Sequence, residues 1–195
     1  MAYYKRHIDK QLIEWKDSPR RKPLLIRGAR QVGKSTAVRE LGKQFRYFVE
    51  INLEKQPDLL QMFPENIDVK KTCEKLSGTL GVPIVPGETL LFIDEIQNVK
   101  GFEEVINGYR EEQEYSIFIT GSNSYLLSGE LATKLTGRYL EFEVFTLSFS
   151  EYLGMKTFLK KPVSPDLTAE FDLYLTEGGF PKALSYEGAD KQAYI

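Results

Sequence analysis

Apolar positions along this chain switch repeatedly between a helical and a strand period, and the switches predict alternating helices and strands. His7 to Lys16 reads as a helix, with Ile8, Leu12 and Trp15 on one face and Ile13 widening the stripe. Asp17-Ser18-Pro19 stops it. Leu24 to Arg27, entered through Pro23, reads as a short buried strand. Ser35 to Phe45 returns to the helical period, with Ala37, Val38, Leu41 and Phe45 on one side. Tyr47 to Leu53 is rich in β-formers and reads as a second strand. Residues 57–81 read as helical pieces, one opened by Pro57 and one striped by Val69, Cys73 and Leu76 and ending near Gly78. Gly81 to Pro86 reads as a loop.

The second half continues the alternation. Thr89 to Glu95 carries four consecutive apolar residues and then two carboxylates. An unbroken apolar run of that kind suits a strand buried on both faces, as in parallel sheets. Phe102 to Glu112 predicts a helix, Ser116 to Thr120 a fourth strand, and Leu126 to Leu135 a helix ended by Thr136-Gly137-Arg138. From Tyr139 to Phe145, Leu140, Phe142 and Val144 alternate with Glu141 and Glu143, the pattern of an edge strand with one exposed face. Ser148-Phe149-Ser150-Glu151 is a capping box opening a short helix, with Phe149, Tyr152 and Leu153 on one side. Lys160 to Pro165 reads as a linker, and Leu167 to Glu177 as a helix stopped by Gly178-Gly179 and Pro181. The last residues read as the start of another helix. The expected organisation is an α/β core over residues 1–147, with 148–195 beginning a helical lid or second domain.

Composition changes this picture little. With 42% hydrophobic and 28% charged residues the 195-residue chain is globular rather than disordered. Its net charge of −2 supplies no global attraction to nucleic acid or to an anionic membrane. One cysteine, Cys73, and one histidine exclude an internal disulfide and argue against a zinc site. His7 and the Arg20-Arg21-Lys22 run read as solvated. The N-terminus lacks the apolar core of a signal peptide, and no long apolar run exists, so the expectation is a cytoplasmic protein without a membrane partner.

The chemistry is concentrated between the first strand and the first long helix of the core. Gly28-Ala29-Arg30-Gln31-Val32-Gly33-Lys34-Ser35 fits G-x-x-x-x-G-K-[ST], a phosphate-binding loop, in its required strand–loop–helix context. Gly28 and Gly33 allow backbone conformations that turn N–H groups inward around phosphates. Lys34 sets an ammonium against the β- and γ-phosphates, and the Ser35 hydroxyl is suited to magnesium. Thr36 follows on the same helix start, whose dipole favours an anion. The predicted ligands are therefore ATP or ADP with Mg²⁺.

The acids at the end of the third strand complete the candidate site, because ligands of parallel α/β sheets gather at strand carboxyl ends. Asp94 is the magnesium-side carboxylate, and Glu95 is the base that orients a water. At the end of the fourth strand, Thr120 and Ser122 are candidates for touching the γ-phosphate or the attacking water. An equally weighted alternative there is a turn with a helix cap at Asn123 or Ser124. A GTPase is disfavoured, since Asp94 leads into Glu-Ile-Gln rather than Asp-x-x-Gly and no Asn-Lys-x-Asp occurs. A dinucleotide enzyme is disfavoured by the lack of G-x-G-x-x-G after the first strand. Glu95 beside Asp94 suits water activation better than phosphoryl transfer to a small molecule.

On Arg30 to Ser35, Leu91 to Gln97, Thr120-Gly121-Ser122, Gly137-Arg138, Leu147 to Tyr152 and Gly178 to Pro181, the chain resembles prokaryotic AAA-superfamily ATPases, and among them the group with a C-terminal domain of unknown function. It differs in having Ala29 where proline is common and Ser35 where threonine is common. The resemblance implies a three-layer α/β/α P-loop NTPase with a five-stranded parallel sheet ordered 5-1-4-3-2. It also implies a sensor residue at the end of strand four, and an arginine finger or phosphate sensor at Arg138, for which a helix-end role is the plain alternative. Members of the group are longer, so the chain reads as an N-terminal fragment, with homo-oligomer contacts and a nucleic-acid or protein partner engaged through the missing part. ATP hydrolysis is the leading function, and a slow nucleotide-gated switch or scaffold is the alternative.

Overall fold

A computed structural model of the chain describes residues 3–19, 21–64, 67–120 and 137–186. Five parallel strands form one sheet: β1 (Leu24–Arg27), β2 (Tyr47–Asn52), β3 (Thr89–Asp94), β4 (Ser116–Thr120) and β5 (Leu140–Glu143). Their spatial order is β2-β3-β4-β1-β5, the order the family resemblance implies, read from the other edge. All four pairings are parallel, with Asn52 level with Asp94 and Leu24 level with Leu140.

The unbroken apolar strands are divided between two cores by their period of two. Leu90 and Phe92 of β3 face one side, with Leu24, Ile26 and Phe118. Leu91 and Ile93 face the other, with Leu25, Ile51, Ile117 and Ile119. Helices α1 (His7–Asp17) and α2 (Lys34–Gly42) cover the first face through Ile8, Leu12, Trp15, Ala37, Val38 and Leu41. Trp15 packs edge-on to Phe118 at 4.5 Å between ring centroids, and its indole N–H donates to Lys22 O. Helices α3 (Val69–Leu80) and α4 (Phe102–Glu112) cover the second face through Cys73, Leu76, Val105, Ile106 and Tyr109. The result is the expected three-layer α/β/α fold.

Beyond β5 the chain forms α5 (Phe149–Phe158) and α6 (Leu167–Glu177). The capping box read from the sequence is present: Ser148 Oγ accepts from Glu151 N, and the Glu151 carboxylate accepts from Ser148 N. A third apolar cluster around Leu147, Tyr152 and Leu184 holds this segment together. Lys156 and Glu170 form a buried ion pair between α5 and α6, with Nζ 2.7 Å from Oε2.

Four details differ from the sequence reading. Helix α3 runs through Gly78, which is exposed, and stops at Gly81, whose φ of +67° supplies the left-handed cap. Ile13 is exposed, because Ile8, Leu12 and Trp15 already form the face turned to the sheet. In β5 Phe142 is half-buried and Leu140 exposed, and Val144, just past the strand, is buried. Arg21 and Lys22 are engaged rather than free: Arg21 donates to Lys16 O and lies over the Phe45 ring, and Lys22 Nζ donates to Gly137 O. The helix expected at Leu126–Leu135 and the turn Gly121–Ser124 lie outside the described residues.

Candidate functional site

The loop between β1 and α2 takes its shape from three residues with positive φ: Gly28 (+140°), Gln31 (+66°) and Gly33 (+99°). Gly28 has no room for a side chain, since a Cβ there would lie 2.1 Å from Val144 O. Val32 is buried and anchors the loop in the core, while Ala29, Arg30 and Gln31 are exposed. Gly33 is the N-cap of α2, and no side chain caps that helix. The first-turn N–H groups are thus left for an anion, at the positive end of the helix dipole.

Lys34 and Ser35 are half-buried, and Thr36 is exposed. The Lys34 ammonium arches back over the loop and donates to Gly28 O and Ala29 O, each at 2.8 Å. Burial pulls the Lys34 pKa below that of a free lysine, against the opposing pull of the Asp94 and Glu95 carboxylates. The ammonium therefore gains from any anion brought into the loop.

Three adjacent strand ends organise the acidic side of the site. Asp94 ends β3, and both of its oxygens are held: Asn52 Nδ2 at the end of β2 donates to Oδ2 at 2.8 Å, and Thr120 Oγ1 at the end of β4 donates to Oδ1. Glu95 follows with φ +61°, and its carboxylate accepts from Gln97 Nε2 at 2.6 Å. Ser35, Arg39, Glu50, Asn52, Lys55, Gln56 and Asp94 line one cleft of about 560 Å³. Arg39 makes a two-pronged contact with Glu50 at 2.8 and 2.6 Å on its wall.

These residues fit magnesium. No cluster of three His, Cys, Asp or Glu side chains suited to a metal exists among the described residues. None is required, because Mg²⁺ at a phosphate site keeps waters and takes one or two protein oxygens beside those of the substrate. Ser35 Oγ and an oriented Asp94 carboxylate on one cleft are such a pair.

One predicted residue stands apart from this cluster, and another has no described position. Ser122 lies outside the described residues. Arg138 is exposed in a turn before β5. The register makes Leu140 level with Leu24, so Arg138 lies near the level of Lys22, at the end of the sheet opposite the glycine loop. Five residues of strand, about 17 Å, separate that level from Arg27, further than an arginine reaches back to its own loop. A sensor role within one chain does not fit this position; contact with a neighbouring copy, or a helix-end role, remains.

Residues that motif reading passed over also meet here. Asn52 orients Asp94, and its signal was a polar residue closing a β strand otherwise rich in apolar positions. Arg6 reaches the loop itself, donating to Val32 O at 2.7 Å.

A family model described as an AAA domain matches residues 20–153. An uncharacterised protein of Haemophilus influenzae is 33% identical over 190 residues, covering 95% of this chain and 45% of that protein. A second relative, the protein MJ1544 of Methanocaldococcus jannaschii, is 36% identical over 152 residues, 74% of this chain and 34% of its own length. The chain thus spans less than half the length of the curated relatives it matches. Among solved structures, the Walker-type ATPase of Pyrococcus abyssi superposes with a TM-score of 0.57 at 18% identity, covering 93% of this chain and 65% of its own. The ORC1 protein of Aeropyrum pernix in complex with DNA superposes with a TM-score of 0.53 at 15% identity, covering 91% and 55%. Among the described residues no helix is long and apolar enough to cross a membrane. Glycine loop, sheet order and family match agree: the chain belongs to the AAA domain family, as a domain with the P-loop ATPase fold.

Proposed function

We propose that this domain binds ATP with magnesium and hydrolyses it. The observation that carries this reading is the meeting of Ser35, at the uncapped start of α2, and Asp94, at the end of β3, on one cleft. Lys34 and the loop N–H groups hold the phosphates. Magnesium, when bound, neutralises phosphate charge; Ser35 and Asp94 are the side chains that would hold it. Asn52 and Thr120 keep the Asp94 carboxylate in place. Glu95, fixed by Gln97, orients the attacking water. Nothing here requires covalent chemistry, because positioning and charge neutralisation carry phosphoryl transfer.

Lys34→Ala is expected to weaken ATP binding at least about tenfold in calorimetry while the domain stays folded. Glu95→Gln is expected to keep ATP binding and lower turnover by about 100-fold or more. Unchanged affinity in the first variant, or wild-type turnover in the second, refutes the corresponding role. Multiple turnovers under saturating ATP separate a hydrolase from a slow switch that signals to a partner. DNA is the first partner to add, since one structural neighbour is described in complex with it.

A further inference from the structure

The N-terminal segment carries a polar group that the hydrolytic reading does not use. The Arg6 side chain is only 10% exposed, and its guanidinium reaches three separate parts of the chain. Nη1 donates to Val32 O in the glycine loop at 2.7 Å. Nη2 donates to Phe145 O and Thr146 O, on the segment leaving β5, at 3.1 and 3.2 Å. Nε and Nη2 each meet the Glu151 carboxylate at 3.2 Å. Glu151 is 6% exposed and also accepts from His7 N and Ser148 N, at 2.9 and 3.0 Å. Arg6 is itself fixed, since its backbone N–H donates to Asp9 at 2.6 Å and Tyr3 Oη donates to the same carboxylate.

The contact with Val32 O has a consequence set by covalent geometry. In a planar trans peptide the C=O and the following N–H point in opposite directions. With the Val32 carbonyl drawn to the guanidinium, the Gly33 N–H points away from Arg6. Gly33, at φ +99°, has no side chain to resist rotation of that peptide, so an outside contact is what fixes it.

We propose that Arg6 is a positioning residue for nucleotide binding: it orients the Val32–Gly33 peptide so that the Gly33 N–H donates to a phosphate, and through Glu151 it ties that peptide to the N-terminus of α5. This rests on the reading of the loop as a nucleotide site. Arg6 does not touch the nucleotide, and its charge is balanced by Glu151. What matters is the fork of donors, which a lysine does not reproduce.

The test is ADP affinity by calorimetry, together with the ¹H–¹⁵N shift of the Gly33 amide on ADP addition and the thermal midpoint without nucleotide. Arg6→Lys keeps a cation beside Glu151. It is expected to bind ADP about tenfold more weakly, the order of one charge-assisted hydrogen bond, with a much reduced Gly33 shift. The pair Arg6→Met with Glu151→Leu removes both buried charges together, so neither is left uncompensated. It is expected to show the same loss of affinity and of shift. A folded variant of either kind with wild-type affinity, or with weakened affinity but an unchanged Gly33 shift, overturns the proposal. So does a lowered thermal midpoint with nothing else changed, the outcome of a purely structural ion pair. A wild-type chain that binds no ADP, indistinguishable from Lys34→Ala, overturns the nucleotide reading itself and this proposal with it.

Discussion

Adding one methyl group at two glycines of this chain is expected to move stability in opposite directions. Gly28→Ala places a Cβ 2.1 Å from Val144 O and 3.3 Å from Val32 Cγ2, at a φ of +140° that side-chain-bearing residues rarely adopt. The unfavourable backbone region costs about 1–3 kcal/mol. Relief of the clash must come from backbone, and Val144 N donates to Arg27 O across the β1–β5 pairing, so the shift strains a ladder hydrogen bond as well. Overpacking of that kind adds about 1–3 kcal/mol, for a total of about 4 kcal/mol. Gly78→Ala meets nothing within 4 Å, on the exposed side of α3. It is expected to stabilise by about 0.5–1 kcal/mol, from lower chain entropy in the unfolded state and better helix propensity. With a urea slope of about 2 kcal/mol per molar, the midpoint falls by roughly 2 M in the first variant and rises by roughly 0.3–0.5 M in the second. The unfolded-state contribution is the same chemical change in both, so the difference between the two midpoints isolates the native loop. Equal shifts in the two variants, or a Gly28→Ala midpoint within about 0.3 M of wild type, refute the close approach of the glycine loop to the exit of β5.

Three further outcomes follow from the same geometry. Lys156→Met leaves the buried Glu170 carboxylate without its cation and is expected to cost about 3–5 kcal/mol in urea unfolding; adding Glu170→Leu should recover most of it. Two glutamates sit below the ordinary carboxylate value of 4.5: at Glu151 burial works upward but is outweighed by Arg6 and the Ser148 and His7 N–H groups, and at Glu170 the Lys156 hydrogen bond leads, with Ser164 N assisting. Both carboxylates stay charged in the fold after the unfolded chain has begun to protonate, so stability is held above about pH 4.5 and lost as pH falls below it; Glu151→Gln should flatten that slope in urea midpoints measured at pH 7 and pH 4. If Arg138 serves a neighbouring copy, mixing Arg138→Ala and Glu95→Gln chains should restore part of the ATPase rate under associating conditions, and no rescue there leaves Arg138 a helix-end residue.

What was legible in the sequence and what was not divide along a physical line. The places of the glycine loop, of Lys34 and Ser35 at a helix start and of Asp94 and Glu95 at a strand end were legible because each is set by immediate neighbours: a strand before, a helix after, a run of apolar residues ending in acids. The division of β3 between two cores followed from a period of two and needed nothing further. The end of α3 was misplaced because Gly78 and Gly81 offer the same lack of a side chain, and only the φ of +67° at Gly81 distinguishes the stop. Asn52 was missed because the residue it serves, Asp94, is 42 positions away and is reached only through the pairing of β2 with β3.

Arg6 shows why such supporting residues are hard to read and how they are found. Its partners lie 26, 139, 140 and 145 positions along the chain, so no local pattern marks it. What demands it is the set of carbonyls it satisfies. Val32, Phe145 and Thr146 belong to no ladder or helix, and the carbonyl of Val32, a buried residue, needs a donor from somewhere. Three carbonyls converging beside one carboxylate call together for more N–H groups than the three of an ammonium, and among side chains only a guanidinium offers them. Had the converging groups been carbonyls alone, a lysine would have served in its place. The added carboxylate, from a helix start 145 residues away, makes arginine specific there and turns a loop support into a tie between the nucleotide loop and α5.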